Sequence, residues 1–215
     1  MGARGMLVAT MMVVALAALA APAFAQNGPI WPNEWSAAWI YVNDSAVHTV
    51  PFPLLNFGNM YYKARNSTFA VAIQSNVYME GKSASSVLFA DDGNAYVLYP
   101  NPDVFHSGCC MFMAGLKASP PNWLVNAVNQ GPVNLNGLPL TRWFNKYNGG
   151  DYYYDVQFPD GSRVPYALDG GGTGMAFLNF VHQGQPDAMF HVPSGCASSC
   201  PHEMSPIHEH LLFKQ

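Results

Sequence analysis

Short apolar runs separated by turn-forming residues recur along the chain, and this pattern is typical of β-strands. The clearest run, residues 151–158, alternates with period two. Its even-numbered residues predict an apolar face, and its odd-numbered residues predict a face in contact with water. Residues 163–168 continue the arrangement, with Val164, Tyr166 and Leu168 on the apolar side.

Turn signals join these runs into hairpins. Residues 91–94 (DDGN) and 159–162 (PDGS) carry the aspartate and glycine that tight turns favour. Consecutive strands joined in this way indicate an antiparallel meander, so the predicted fold is all-β with one or two short helices. The predicted strands are residues 37–42, 59–64, 68–74, 86–90, 95–99, 140–144, 151–158, 163–168 and 175–181.

One segment favours a helix over a strand. Prolines at positions 120 and 121 precede residues 122–130, and Gly131 follows them. Proline near the start and glycine just after the end are typical of helix termini. A helix this short needs packing against the sheet to persist, so we expect 122–130 to form one helix that lies on the sheet.

The amino-acid composition of the chain indicates which kinds of partner or ligand to expect. Half of the residues are hydrophobic, 10% are charged, and the net charge is −4. Lysine and arginine form no cluster, so no nucleic-acid partner is expected. The chain holds 13 Phe, 11 Tyr, 5 Trp and 11 Met. These side chains indicate either a sheet face that encloses an apolar ligand or an ordinary packed core.

The first 25 residues have the features of a secretory signal peptide. Arg4 precedes an apolar stretch over residues 6–21, and residues 23–25 (AFA) form a small-residue cleavage site. A membrane anchor is the alternative, but the apolar stretch is shorter than the span of about 20 residues that a bilayer requires. We therefore expect a secreted, extracellular protein with no integral membrane segment after cleavage. Residues 26–200 form its single predicted domain.

In a secreted protein, the four cysteines of the chain lie in an oxidising compartment. An even number in an oxidising compartment indicates two disulfides. A bridge between the adjacent Cys109 and Cys110 is strained, so we expect each of them to pair with one of Cys196 and Cys200. Which of the two such pairings forms is left open.

Two sequons, at Asn43 and Asn66, predict glycosylation sites on exposed turns.

Signals for catalysis are weak. The chain has no G-x-S-x-G nucleophile motif and no H-E-x-x-H zinc motif, and its aspartates have ready surface or turn roles. Residues 201–215 contain three histidines with neighbouring glutamates, which we interpret as a solvated tail in preference to a metal site. We therefore predict no enzyme activity, no cofactor and no metal.

Several short motifs follow one another in the second half of the chain. They are, in order, Cys109-Cys110 and residues 121–124 (PNWL), 129–133 (NQGPV), 136–137 (NG), 141–143 (TRW), 152–154 (YYY), 160–165 (DGSRVP) and 190–196 (FHVPSGC). This order resembles secreted ependymin-related proteins, which are similar in fold to bacterial lipoprotein carriers (LolA-like). The resemblance implies a strongly curved antiparallel sheet, or half-barrel, that encloses a hydrophobic pocket and binds a lipid or another apolar ligand.

The predicted function is non-enzymatic binding of a hydrophobic small molecule or lipid. The first alternative is a structural or adhesive extracellular matrix or filament protein, which self-associates through an edge strand. The second is a carbohydrate-binding module, in which an exposed aromatic residue such as Tyr153 stacks on sugars. The residues predicted to line the ligand pocket are Trp143, Tyr152, Tyr154, Phe158, Tyr166 and Phe177.

Overall fold

The described part of the protein is built from eleven antiparallel β-strands in a single sheet. The computed structural model describes residues 28–43, 57–79, 82–99, 108–135, 137–146, 150–170 and 173–200. The predicted signal peptide and the C-terminal tail 201–215 lie outside these residues. The strands are β1 (Glu34–Asn43), β2 (Phe57–Asn66), β3 (Phe69–Met79), β4 (Lys82–Phe89), β5 (Ala95–Leu98), β6 (Cys109–Met113), β7 (Val128–Leu135), β8 (Leu138–Asn145), β9 (Asp151–Gln157), β10 (Arg163–Gly170) and β11 (Thr173–Val181).

The sheet is curved and unclosed, and it has two arms. Strands β1 to β6 follow one another outward as the left arm, and β11 back to β7 form the right arm. The first and last strands pair at the centre, where Trp39 lies opposite Phe177 and Ile40 opposite Ala176. Strands β6 and β7 are the two edges. This confirms the prediction of an all-β, curved antiparallel sheet.

The predicted turns form because, in each turn, an aspartate side chain accepts a hydrogen bond from the backbone amide two residues later. Asp92 Oδ1 accepts a hydrogen bond from the Asn94 amide at 3.0 Å, between β4 and β5. Asp160 Oδ1 accepts one from the Ser162 amide at 2.9 Å, between β9 and β10. Gly161 has a φ of 86°, a left-handed conformation that favours glycine. These local bonds explain why the turn residues predicted the hairpins correctly.

The helix predicted over residues 122–130 is wrong. Residues 121–126 form successive turns, in which the amides of Trp123, Val125 and Ala127 each donate to the carbonyl three residues back, at 3.1, 2.9 and 2.8 Å. Residues 128–130 belong to β7, which pairs with β8. Pairing with β8 outweighs the weak helical preference of this asparagine-rich and valine-rich segment. Among the described residues, helical structure is limited to the 3₁₀ turn Asp187–Phe190.

The prediction that the odd-numbered face of β9 meets water is also wrong. Tyr153 is 1% exposed and Asp155 is fully buried. Both faces of β9 are covered, so alternation of residue type does not separate an inside from an outside. In addition, a bulge between Pro165 and Ala167 shifts the register of β10, so that Tyr166 and Leu168 pack against different clusters.

Apolar side chains cover the sheet on both faces. One face, which we call the inner face, carries one large cluster to which both arms contribute, from Ala95 in β5 to Trp143 in β8. The opposite, outer face carries two separate clusters. One is centred on Tyr154 and Ala167 in the right arm, and the other on Val71 and Leu88 in the left arm.

The chain after β11 returns across the outer face of the left arm. Phe190, fully buried, packs there with Val71 and Leu88. Two disulfides, Cys109–Cys196 and Cys110–Cys200, then join this segment to edge strand β6, with Cα–Cα distances of 4.9 and 5.0 Å. Each adjacent cysteine therefore pairs with one of Cys196 and Cys200, as predicted. Closing loops of this length stabilises a fold by about 4 kcal/mol each in the chain-entropy model.

An ion-pair network holds the same segment at its other end. Asp187 pairs with Lys63 at 3.0 Å and also with Arg65. Arg65 pairs in turn with Asp91 at 2.7 Å, and Lys63 lies 3.4 Å from Glu34. Hydrogen bonds from Arg65 and then Lys63 lower the pKa of the Asp187 carboxyl to about 2.

This network predicts a loss of stability in acid. A carboxyl whose folded-state pKa is depressed stabilises the fold above its unfolded-state pKa, and that contribution disappears as pH falls through the folded-state value. The contribution of Asp187 should therefore be present above about pH 4 and be lost between about pH 4 and about pH 2. Thermal unfolding of the wild type and of Asp187→Asn across this range checks it. The two unfolding temperatures should differ at pH 6 and converge near pH 2, whereas a constant difference contradicts this role.

Candidate functional site

All five tryptophans of the chain meet at the inner face. Trp35, Ala37 and Trp39 lie two residues apart along β1, so the period-two geometry of a strand places all three side chains on the inner face. Trp143 reaches the same cluster from β8 in the other arm. Trp31 and Trp123 join it from segments outside the sheet. The inner face is therefore an aromatic surface assembled from distant parts of the chain.

Trp31 lies at the centre of this aromatic surface. Its ring meets those of Trp35, Trp123 and Tyr62 edge-to-face, at centroid distances of 5.3, 5.4 and 5.6 Å. Trp35 in turn stacks on Tyr62 at 5.2 Å and on Phe180 at 5.1 Å. Edge-to-face and offset stacked arrangements are the favourable ones for aromatic pairs, so the rings stabilise one another beyond the area they bury.

A bulge in β11 adds to the aromatic surface. Ser36 of β1 pairs with Val181 of β11, but Ala38 pairs with Leu178, so the pairing register shifts between these two positions. Asn179 in this part of β11 has a left-handed φ of 51°. Asparagine tolerates this conformation better than most residues. Because of the extra residue, Phe177 and Phe180, three positions apart, both contact the inner cluster.

Small residues make room for the large rings. Gly58 lies opposite Trp39 in the β1–β2 pairing. A Cβ atom built on Gly58 would lie 2.8 Å from Trp39 Nε1 and would overlap the carbonyl of Ser75. Glycine at this position is thus required for the indole to approach β2. The alanines of the inner cluster are Ala37, Ala70, Ala72, Ala95, Ala118 and Ala127.

Two segments, residues 28–33 and 118–127, cross the inner face, and we call them together the cover. They bond to each other, with the Trp31 amide donating to the Pro121 carbonyl at 2.8 Å. They also bond to the sheet, where the Tyr62 hydroxyl donates to the Ser119 carbonyl at 2.9 Å. Burial raises the pKa of Tyr62, so this hydroxyl stays a donor. The cover separates the aromatic surface from water.

Within this apolar surface lie buried polar groups for which the described part of the chain supplies no hydrogen-bond partner. The side chain of Gln74 is fully buried, and neither its Nε2 nor its Oε1 has a hydrogen-bond partner among the described residues. The indole N–H groups of Trp35 and Trp123 likewise have none there. A buried polar group left without a partner costs about 1–3 kcal/mol, and native proteins contain few of them. Each such group therefore marks a place where a further polar atom is expected.

Asp155, by contrast, is a buried carboxylate that is paired with a cation and accepts hydrogen bonds. Its carboxylate accepts from Arg163 Nη1 at 2.7 Å and from Trp143 Nε1 at 3.2 Å. Burial raises the pKa of Asp155, and the Arg163 charge opposes that shift. The Arg163 guanidinium also lies 5.1 Å from the ring centroid of Trp143. Because donors and charge are matched, this pair has a structural role in joining β8, β9 and β10.

The six predicted pocket residues do not come together. Trp143 and Phe177 lie in the inner cluster. Tyr152, Tyr154 and Tyr166 pack on the outer face. Phe158 is 46% exposed, just beyond the end of β9. The inner-face residues that the prediction missed are Trp31, Trp35, Trp39, Tyr62, Gln74, Trp123 and Tyr153.

Sequence searches found no matching protein family and no relative among the curated proteins. Within the described residues, no group of three or more His, Cys, Asp or Glu side chains is placed to hold a metal ion. The same residues include no helix long and apolar enough to cross a membrane.

The contact between Gly58 and Trp39 predicts the effect of one methyl group. Gly58→Ala should lower the free energy of unfolding by about 1–3 kcal/mol, because the indole or the backbone of β3 has to move. Gly184→Ala is the matched control, since its Cβ would meet no atom closer than 3.4 Å. Urea unfolding followed by tryptophan fluorescence measures both variants. Equal stabilities of the two variants would show that Gly58 is not needed for this packing.

Proposed function

We propose that this protein is a secreted, non-enzymatic carrier that binds a hydrophobic small molecule or lipid at the inner face of its sheet. One observation carries the proposal: an unclosed sheet gathers all five tryptophans on one face, together with buried polar groups that have no hydrogen-bond partner among the described residues. A core that served packing alone would place apolar residues at those polar positions. The polar groups are the reason to assign a ligand to this face.

The inner face has the chemistry that an apolar chain needs. Moving an acyl chain out of water gains about 0.8 kcal/mol for each buried CH₂ group. Met60 and Met175, both in the inner cluster, have flexible and polarisable side chains that adapt to irregular ligands. In the described part of the chain the cover lies over this surface, so binding is expected to displace part of residues 28–33 or 118–127.

Extracellular localisation is part of the proposal. Two disulfides are compatible with an oxidising compartment. The predicted glycosylation site at Asn66 lies exposed at the end of β2, where its Oδ1 accepts a hydrogen bond from Thr68 Oγ1 at 2.9 Å. Asn43, the other predicted site, is the last residue of β1. Exposure of Asn66 on a hairpin supports glycan attachment there.

The relationship to ependymin-related proteins and LolA-like lipoprotein carriers is also proposed. That resemblance implies a strongly curved antiparallel sheet, or half-barrel, and the observed sheet is curved and unclosed. The agreement of fold is an analogy that supports the relationship, and one fold can serve many functions. The inner-face chemistry, and not the analogy, is the stronger support for a ligand.

The structural or adhesive alternative gains no support from the sheet edges. At β6, Ala197 exchanges backbone hydrogen bonds with Cys109 and Met111. At β7, Pro132 lacks an amide donor, and the register of the β7–β8 pair shifts between Asn129 and Gly131. Proline, bulges and covering segments are devices that prevent strand addition at an edge. Sugar stacking on Tyr153 also loses its basis, because Tyr153 is buried.

A matched pair of variants tests which face binds the ligand. Ala72→Leu adds bulk to the inner face, and Ala167→Leu adds the same bulk to the outer face. Energy transfer from tryptophan to 1-dodecylpyrene, an apolar probe without a polar head, measures binding. Saturable binding to the wild type is expected, with a loss of severalfold or more in affinity for Ala72→Leu and none for Ala167→Leu.

Thermal unfolding of both variants confirms that they fold, since added bulk in a core costs about 1–3 kcal/mol. Loss of binding only in Ala167→Leu would move the site to the outer face. No saturable binding by the wild type would overturn the carrier proposal. A concentration-dependent oligomer in place of binding would favour the structural alternative.

A further inference from the structure

We infer that Gln74 binds the polar head of the ligand, and that this head is uncharged and carries both a hydroxyl and a carbonyl group, as in a monoacylglycerol. This inference rests on the proposed function, because it concerns the same inner face. It adds the chemical class of the ligand and the residue that selects it.

The register of the sheet places Gln74 on the inner face. Its direct cross-strand partners are Met60 on β2 and Val87 on β4, and both belong to the inner cluster. Side chains of directly paired residues project from the same face of a sheet. The other inward residues described on β3, Ala70 and Ala72, are small and apolar. Gln74 is therefore the polar member of an otherwise apolar row.

The bonding capacity of Gln74 defines the group that it binds. A primary amide offers two N–H donors and one carbonyl acceptor, and all of them are unused among the described residues. A hydroxyl next to a carbonyl can use both kinds of site, because the carbonyl accepts from Nε2 while the hydroxyl donates to Oε1. An alkane or a simple ester leaves the acceptor Oε1 unmatched.

The charge of the inner face favours a neutral head over a carboxylate. Gln74 carries no charge, and burying an ion without an opposite charge is costly. Arg163, which touches the inner cluster through Trp143, is already paired with Asp155 at 2.7 Å. Among the described residues, the direct partners of Gln74 across the sheet are the uncharged Met60 and Val87, so they offer no cation to a fatty-acid anion.

Competition against 1-dodecylpyrene tests the inference, with 1-monooleoylglycerol and oleate as the competing ligands. The wild type should prefer the glyceride. Gln74→Met keeps the length of the side chain but removes its hydrogen bonds, so it should weaken glyceride binding about tenfold. It should change the affinity for 1-dodecylpyrene, which has no polar head, by less than it changes the affinity for the glyceride, and it should raise the unfolding temperature of the ligand-free protein. Gln74→Leu, a second apolar variant, should behave in the same way.

The outcomes separate this inference from the proposed function. If 1-dodecylpyrene does not bind the wild type, the carrier proposal itself fails. If 1-dodecylpyrene binds but Gln74→Met and Gln74→Leu keep wild-type affinity for the glyceride, the carrier proposal stands and Gln74 is not the head-group site. Stronger binding of oleate than of the glyceride by the wild type would overturn the assignment of a neutral head.

Discussion

The pairing of β1 with β11 is the constraint on which the rest of the structure depends. It joins two arms, and in each arm the strands that follow one another in the sequence are neighbours in the sheet. It also places the first and last strands of the chain, β1 and β11, at the middle of the sheet. Trp39 and Phe177 become direct neighbours through this pairing. Without it, tryptophans from β1 and β8 would belong to separate units. The aromatic inner face is therefore a consequence of topology as much as of composition.

Covering of both sheet faces follows from the same arrangement. The inner face holds rings that the cover shields from water, while the chain after β11 covers the outer face of the left arm. Ion pairs at Asp187, burial of Phe190 and the two disulfides hold that returning chain in three different ways. The edge at β6 is protected as a result. The left arm is thus held by ion pairs, apolar burial and disulfides, whereas the inner face contains buried polar groups that have no hydrogen-bond partner among the described residues.

Local signals in the sequence predicted most of the strands and hairpins, because alternation and turn chemistry act over a few residues. Strands β6 and β7 were missed, since neither alternates clearly and β7 contains Gly131 and Pro132. The site was predicted less well. Alternation in β9 does not show which face is inner when both are buried, and the buried Asp155 owes its place to Arg163. The spacing of Trp35 and Trp39 was an available signal, whereas Trp31 and Trp123 reach the site from irregular segments that only tertiary contacts position.

The central claim is that the inner face binds an apolar ligand. Native mass spectrometry of the protein, purified without detergent from a secreting host, tests it most directly. The account predicts a monomer that carries additional mass of the size of a lipid, and that loses this mass on extraction with organic solvent. A ligand-free protein that stays ligand-free after incubation with lipids, or a series of ligand-free oligomers, would contradict the account.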